Sequence, residues 1–298
     1  ENALHQRQTD PTGVRHRQGR RFGSTAGALT AGFRISRLMS NERISTGVAG
    51  LDTLLHGGFS RGRTYLFAGE AGTGKTIACL QFVATCLKAG DKAVYVTVDE
   101  RPAEILEAAA ALGWNLQPYI QDKQLIVLDA APYFGARGGG EKGIDPQKIV
   151  ADLGNYVRRL GATLLIIDPV TPFSLPPDAS SPSQDQARSL IQLVQTQISV
   201  TNLFTAQRCP NDGSSAGVAI EEHLAAGVLI FKMTETPTGY ERTVTVKKMR
   251  GVAIAPVKYK FTLQQDRGIV LDLPGSAPAT ASATAPMFEY FDPAKPRN

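Results

Sequence analysis

Gly69-Glu70-Ala71-Gly72-Thr73-Gly74-Lys75-Thr76 fits the phosphate-binding pattern G-x-x-x-x-G-K-[ST]. An apolar, β-prone run, Thr64-Tyr65-Leu66-Phe67-Ala68, leads in, and a helix-compatible run from Ile77 to Ala84 leads out. Strand, glycine loop and helix together are what phosphate binding needs. Glycines let backbone N–H groups curl around phosphate oxygens without Cβ clashes. The helix N-terminus adds partial positive charge. Within such a loop Lys75 can reach the β- and γ-phosphates, and the Thr76 hydroxyl can hold Mg²⁺.

Working outward, Leu164-Leu165-Ile166-Ile167-Asp168 reads as a buried parallel strand that delivers a carboxylate to the carboxyl edge of a sheet. An aspartate there can bind the magnesium shell opposite Thr76. Val94-Tyr95-Val96-Thr97-Val98-Asp99-Glu100 reads as another strand, ending in two acids at the same edge. Glu100 is assigned to orienting and deprotonating a water that attacks the γ-phosphate. Asp99 is either its partner in the nucleotide site or a structural acid. The plainer alternative is that Asp99 or Glu100 caps a helix starting at Pro102. Thr205-Ala206-Gln207-Arg208 ends a further strand, where the Gln207 amide could hydrogen-bond the γ-phosphate.

After the P-loop helix the chain alternates between strand-like and helix-like runs, the pattern of a parallel sheet with crossovers. Strands are expected at about 94–98, 124–129, 163–168 and 201–206, and helices at about 102–112, 145–160 and 185–199. Three closely spaced strand-like runs follow, near 226–232, 241–248 and 256–262. Thr236-Pro237-Thr238-Gly239 joins the first two as a hairpin.

Ile44-Ser45-Thr46-Gly47-Val48-Ala49-Gly50-Leu51-Asp52, continuing through His56-Gly57-Gly58-Phe59 and Arg61-Gly62 into the P-loop, resembles the start of a KaiC-like ATPase domain of the RecA superfamily. The resemblance continues through Asp99-Glu100, Asp168, Glu221-Glu222-His223-Leu224 and Lys247-Lys248-Met249-Arg250-Gly251, and covers about residues 41–272. It implies a RecA-like P-loop NTPase core: a mostly parallel sheet flanked by helices, with an antiparallel edge. It also implies ATP as the nucleotide and a ring, commonly hexameric, with ATP between subunits. Lys248 and Arg250 would then reach a neighbour's γ-phosphate. Only one such domain is present, whereas the clock protein that names the family carries two in tandem.

Composition bounds the rest. The 298 residues suit one large α/β domain with tails, and 42% hydrophobic residues suffice for a sizeable core. No apolar run reaches the length of a membrane span, so none is expected. Cys79, Cys86 and Cys209 have no metal-ligand spacing and read as thiols in a reducing cytoplasm. His223, without metal-spaced partners, reads as structural, and Trp114 as a packing residue.

The formal charge of +5 comes entirely from residues 1–38, where seven arginines face two carboxylates. Residues 39–298 net to zero, which argues against a basic nucleic-acid platform. Residues 1–38 lack hydrophobic periodicity and read as a disordered basic extension. Met39 reads as a natural start, leaving residues 1–38 either an upstream extension or an added segment. The alternative is a basic arm for nucleic acid or an acidic partner. The ATPase domain is expected over 39–272. Residues 273–298 form a flexible Ala/Pro/Thr-rich tail with an aromatic cluster, Met287 to Pro293.

Two loops, Tyr133–Gly143 and Pro169–Gln184, are expected at the functional edge of the sheet; Ser180, Ser181 and Ser183 could accept phosphate, although a solvated turn is the simpler reading. These features together point to Mg²⁺-dependent ATP hydrolysis by a ring that passes its nucleotide state to an unidentified protein partner. The competing readings are a RecA-like DNA-associated ATPase and an autophosphorylating kinase.

Overall fold

The computed structural model describes residues 42–131, 145–170, 182–207, 224–237, 239–254 and 256–273, with side chains of 182–188 excepted. Residues 133–143, Ser180, Ser181, Arg208, Cys209, Glu221, Glu222, His223 and both terminal segments lie outside the described residues, as does the side chain of Ser183.

The strands are β1 (Arg43–Ile44), β2 (Phe59–Ser60), β3 (Thr64–Gly69), β4 (Ala93–Thr97), β5 (Leu125–Asp129), β6 (Leu164–Asp168), β7 (Thr201–Gln207), β8 (Gly227–Thr236), β9 (Gly239–Met249), β10 (Lys258–Gln264) and β11 (Gly268–Leu271). The helices are α1 (Leu51–Leu54), α2 (Lys75–Lys88), α3 (Pro102–Ala111), α4 (Gln117–Gln121), α5 (Pro146–Leu160) and α6 (Pro182–Gln197). Nine strands form one sheet in the order β11-β10-β9-β8-β3-β7-β6-β4-β5. Strands β3 to β8 are parallel, and β9, β10 and β11 add an antiparallel edge. The expected architecture, parallel core and antiparallel edge, is therefore the observed one.

Burial explains why the central strands read as continuous apolar runs. Every residue of β3, β4 and β6 is buried, because helices cover both sheet faces. One face carries Tyr65, Phe67, Tyr95, Ile166 and Leu203 beneath the P-loop helix α2. The other carries Leu66, Val94, Leu165, Ile167 and Phe204 beneath α5 and α6. Helix α5 shows how the sequence sets its own limits. Asp145 caps it, accepting from Gln147 N at 2.9 Å. Ile149, Val150, Leu153, Val157 and Leu160 form its buried stripe, and Gly161 ends it in the left-handed conformation.

Helix α2 is buried nearly all round, from Ala78 through Ala84 and again at Cys86 and Leu87. Such a helix needs cover on every side. The segment containing Thr46 to Leu51 and the late strand β11 contribute to it. Strands β1, β2 and β11 and helices α1 and α4 were not expected from periodicity. The first two strands have two residues each, too short to show a period. Strand β11 follows a turn where Asp266 and Gly268 both have positive φ.

Candidate functional site

The carboxyl edge of the parallel strands opens onto a cavity of about 330 Å³. From the loop after β3 come Ala71, Gly72 and Gly74, and from the start of α2 come Lys75 and Thr76. Asp99 and Glu100 follow β4, Asp168 ends β6, and Gln207 ends β7. The cavity thus gathers Lys75, Thr76, Asp99, Glu100, Asp168 and Gln207, which the sequence had placed at separate strand ends.

The loop conformation accounts for its glycines. A Cβ on Gly69 would lie 2.4 Å from the Phe231 carbonyl oxygen on the neighbouring strand. Gly74 is the N-cap of α2 with φ 102°, a backbone that L side chains rarely adopt. The first amides of α2 therefore face the cavity with no side-chain cap competing for them. Lys75 Nζ donates to the Glu70 carbonyl at 2.7 Å. The buried Thr73 hydroxyl donates to the same carbonyl at 2.8 Å, which holds the loop closed upon itself. Gly69, Glu70 and Thr73 shape this loop and are not among the residues that line the cavity.

Asp168 is 6% exposed. Its carboxylate lies between two hydroxyl donors: Tyr95 Oη donates to Oδ2 at 2.6 Å, and Thr205 Oγ1 donates to Oδ1. Register explains the meeting. Tyr95 pairs with Ile166, two residues before Asp168, on the β4–β6 ladder. Thr205 follows Phe204, which pairs with Ile167. All three side chains project from the α2 face, and the long tyrosine reaches up its strand to the carboxylate.

The acids after β4 are not the helix cap. Arg101 occupies the N-cap position of α3, and its amide donates to the Glu104 side chain at 2.9 Å. Thr97 Oγ1 donates to the Glu100 carbonyl at 2.7 Å and fixes the turn that carries both acids. Desolvation and the negative charge of Asp168 raise the proton affinity of Asp99 and of Glu100. Glu104 and Asp99 add to the shift at Glu100. Burial lowers the Lys75 pKa, opposed by Asp168, Cys79 and Glu70. Burial, with the charge of Asp168 next, holds the Tyr95 hydroxyl well above the usual phenol range, so it is a donor at neutral pH.

Lys248 and Arg250 are elsewhere. Lys248 pairs with Val228 at the start of β8. The Arg250 amide donates to the Ala226 carbonyl at 2.8 Å, and the Ala226 amide donates to the Thr64 carbonyl at the start of β3. This is the amino edge of the parallel strands, one strand length from the P-loop. Polar cavity or support residues that escaped the sequence reading include Tyr95, Thr97, Thr205 and Arg242, and the apolar lining of Ile105 and Leu263 was missed as well. Arg242 lines the cavity from β9, with Nε 3.5 Å from the Gly72 carbonyl. Only register across the sheet brings it there, so no local signal could have found it. A tyrosine among valines, by contrast, was a visible hint of a buried hydroxyl needing a partner.

The oxygen donors at this edge suit a hard divalent ion. Mg²⁺ is commonly held by one or two protein oxygens, with phosphates and water completing its shell. The Thr76 hydroxyl and the Asp168 carboxylate fit that requirement.

The family model described as "ATPase: KaiC" matches residues 44–275. The circadian clock oscillator protein KaiC 1 of Synechocystis sp. is 32% identical over 227 residues, 76% of this chain and 43% of that protein. KaiC of Parathermosynechococcus lividus is 31% identical over 236 residues, 78% of this chain and 43% of that protein. The chain thus spans less than half the length of these curated relatives. The crystal structure of a KaiC-like protein from the hyperthermophilic archaeon Pyrococcus horikoshii OT3 matches with a TM-score of 0.66 at 27% identity, over 78% of this chain and 99% of that one. With a P-loop at the carboxyl edge of a RecA-type sheet and a family match over most of its length, the chain belongs to the KaiC ATPase family.

Proposed function

We propose that the chain binds and hydrolyses ATP with Mg²⁺, assembles as a ring with nucleotide between subunits, and passes its nucleotide state to a protein partner. The observation that carries this reading is the convergence of Lys75, Thr76, Asp99, Glu100 and Asp168 on one cavity. The loop amides and Lys75 bind phosphate oxygens, and Lys75 exchanges the Glu70 carbonyl for them. Thr76 and Asp168 hold Mg²⁺, which when bound neutralises phosphate charge. Glu100 accepts a proton from water as the water oxygen bonds to the γ-phosphorus. The bond from that phosphorus to the bridging oxygen breaks, leaving ADP and inorganic phosphate. A raised proton affinity suits Glu100 to this role. Asp99 supports the same water, and Gln207 hydrogen-bonds the γ-phosphate. Arg242 and Leu263, which also line the cavity, offer a cationic and an apolar surface to the nucleotide base.

Lys248 and Arg250 serve the γ-phosphate of a neighbouring subunit, because their own P-loop is at the opposite sheet edge. The family resemblance supports a hexamer as the form of that ring. The catalytic domain is residues 39–272, flanked by the basic extension 1–38 and the tail 273–298. Cys79 and Cys86, buried as free thiols, suit the reducing cytoplasm. Among the described residues no helix is long and apolar enough to cross a membrane.

The test is phosphate release from ATP by the purified chain, with and without EDTA. Release that depends on Mg²⁺ and is lost in Lys75→Ala supports the reading. Tight ATP binding with no release would leave a binding scaffold and overturn hydrolysis.

A further inference from the structure

We propose that Tyr95 and Thr205 are positioning residues for the magnesium site, acting through the carboxylate of Asp168. The inference rests on the proposed Mg²⁺–ATP site and adds residues that the P-loop and strand-end motifs do not include.

The geometry is a buried clamp. Asp168 sits on the central strand β6 between β4 and β7, and each flanking strand sends one hydroxyl to a different carboxylate oxygen. Tyr95 is 1% exposed and Thr205 is 0% exposed, so water does not compete for either bond. A carboxylate held at both oxygens loses rotation about its χ2 torsion. It presents the same remaining lone pairs to the cavity at all times. Charge-assisted hydrogen bonds of this kind are about twice as strong as neutral ones. Partners that hold a metal-binding carboxylate in place commonly change metal affinity by about 10–100-fold when removed. The apolar body of Tyr95 already belongs to the core under α2. Packing alone would therefore be satisfied by phenylalanine, and among the described residues the hydroxyl's hydrogen-bond partner is Asp168.

The experiment titrates a fluorescent N-methylanthraniloyl ATP against the full chain, first in EDTA and then in rising Mg²⁺. The variants are Tyr95→Phe, Thr205→Val and Thr205→Ser, each checked by its melting temperature. Tyr95→Phe and Thr205→Val are expected to keep the wild-type affinity in EDTA within about twofold. Their half-saturating Mg²⁺ concentration is expected to rise about tenfold. Thr205→Ser retains a hydroxyl and should titrate close to wild type. An unchanged Mg²⁺ half-saturation in both Tyr95→Phe and Thr205→Val would overturn the proposal. So would equal losses with and without Mg²⁺, which would show a deformed pocket. If the wild type binds no nucleotide, the proposed function itself fails. If it binds nucleotide with a Mg²⁺ dependence that the variants share, only this inference fails.

Discussion

Arg242 and Arg250 occupy opposite edges of the same sheet. Arg242 lines the P-loop cavity from within β9, whereas Arg250 follows the end of that strand and bonds through its amide to Ala226 at the amino edge. Eight residues of extended chain separate them by roughly 25 Å. An arginine side chain cannot bridge that distance. Any action of Arg250 on a γ-phosphate must therefore be on a nucleotide held by another subunit.

This yields a complementation test. Arg250→Ala should bind ATP and hydrolyse it at least ~10³-fold more slowly, the scale of a missing arginine finger. Mixing it with Lys75→Ala should restore part of the activity, because a mixed interface pairs an intact P-loop with an intact Arg250. Steady-state phosphate release on the two variants and their mixture checks this. Full activity in Arg250→Ala alone removes the assignment.

Lys75 and Glu100 should separate binding from turnover. Lys75 touches ground-state phosphates in the proposed site, so Lys75→Ala should lose nucleotide affinity. Glu100 acts on the water, so Glu100→Gln should keep affinity within a few-fold and lose about 10²-fold or more in turnover. Calorimetric titration alongside phosphate release distinguishes them. Equal loss of affinity in both variants would count against the role of Glu100.

The same glutamate should limit stability. Its folded pKa is raised above the ordinary glutamate value of about 4.5 by desolvation and by Asp168. The folded state then binds the proton more tightly than the unfolded state, and stability falls as pH rises from about 4.5 through the folded pKa. Glu100→Gln removes this penalty. Without nucleotide and Mg²⁺, it should melt on the order of 1 °C above wild type at pH 7, because Glu100 is largely exposed. The difference should shrink toward pH 4. Melting curves across that range decide it, and a lower melting temperature at pH 7 would contradict it.

Gln81 should be the polar residue of α2 whose loss costs most. Its Oε1 accepts the Ile269 amide at 2.7 Å. Its Nε2 donates to the carbonyls of Gly47 at 2.7 Å and Arg267 at 2.9 Å. One side chain thus ties the P-loop helix to both the Thr46–Leu51 segment and β11. Gln81→Leu would leave those buried groups unpaired and should destabilise by about 3 kcal/mol. Urea unfolding measures it, and a change below about 1 kcal/mol would show that the groups find other partners.

Truncation to Met39–Asn298 should leave melting temperature and ATP turnover unchanged, since residues 1–38 offer no apolar face to a core. The truncated chain should also bind single-stranded DNA weakly. A steep loss of DNA affinity with salt in that truncated form would favour the nucleic-acid reading instead.

The sequence by itself determined the chemistry of the loop and the type of each central element. A P-loop is a local object: its glycines, lysine and threonine are contiguous, and backbone geometry makes them act together. Strands such as Leu164–Asp168 were equally legible, because burial on both faces demands an unbroken apolar run ending where the edge meets solvent. Tertiary structure alone decided which remote side chains meet. Arg242 reaches Gly72 only through the pairing of β9 with β8 and of β8 with β3. Tyr95 and Thr205 reach Asp168 only because β4, β6 and β7 are neighbours in parallel register, although β4 and β7 lie far apart in the chain. Gln81, one residue of a helix-compatible run, acquires its partners only because β11 and the turn before it pack on α2. Periodicity reports the face a residue occupies, but not the partner on that face, because register is set by long-range packing that no short window of sequence contains.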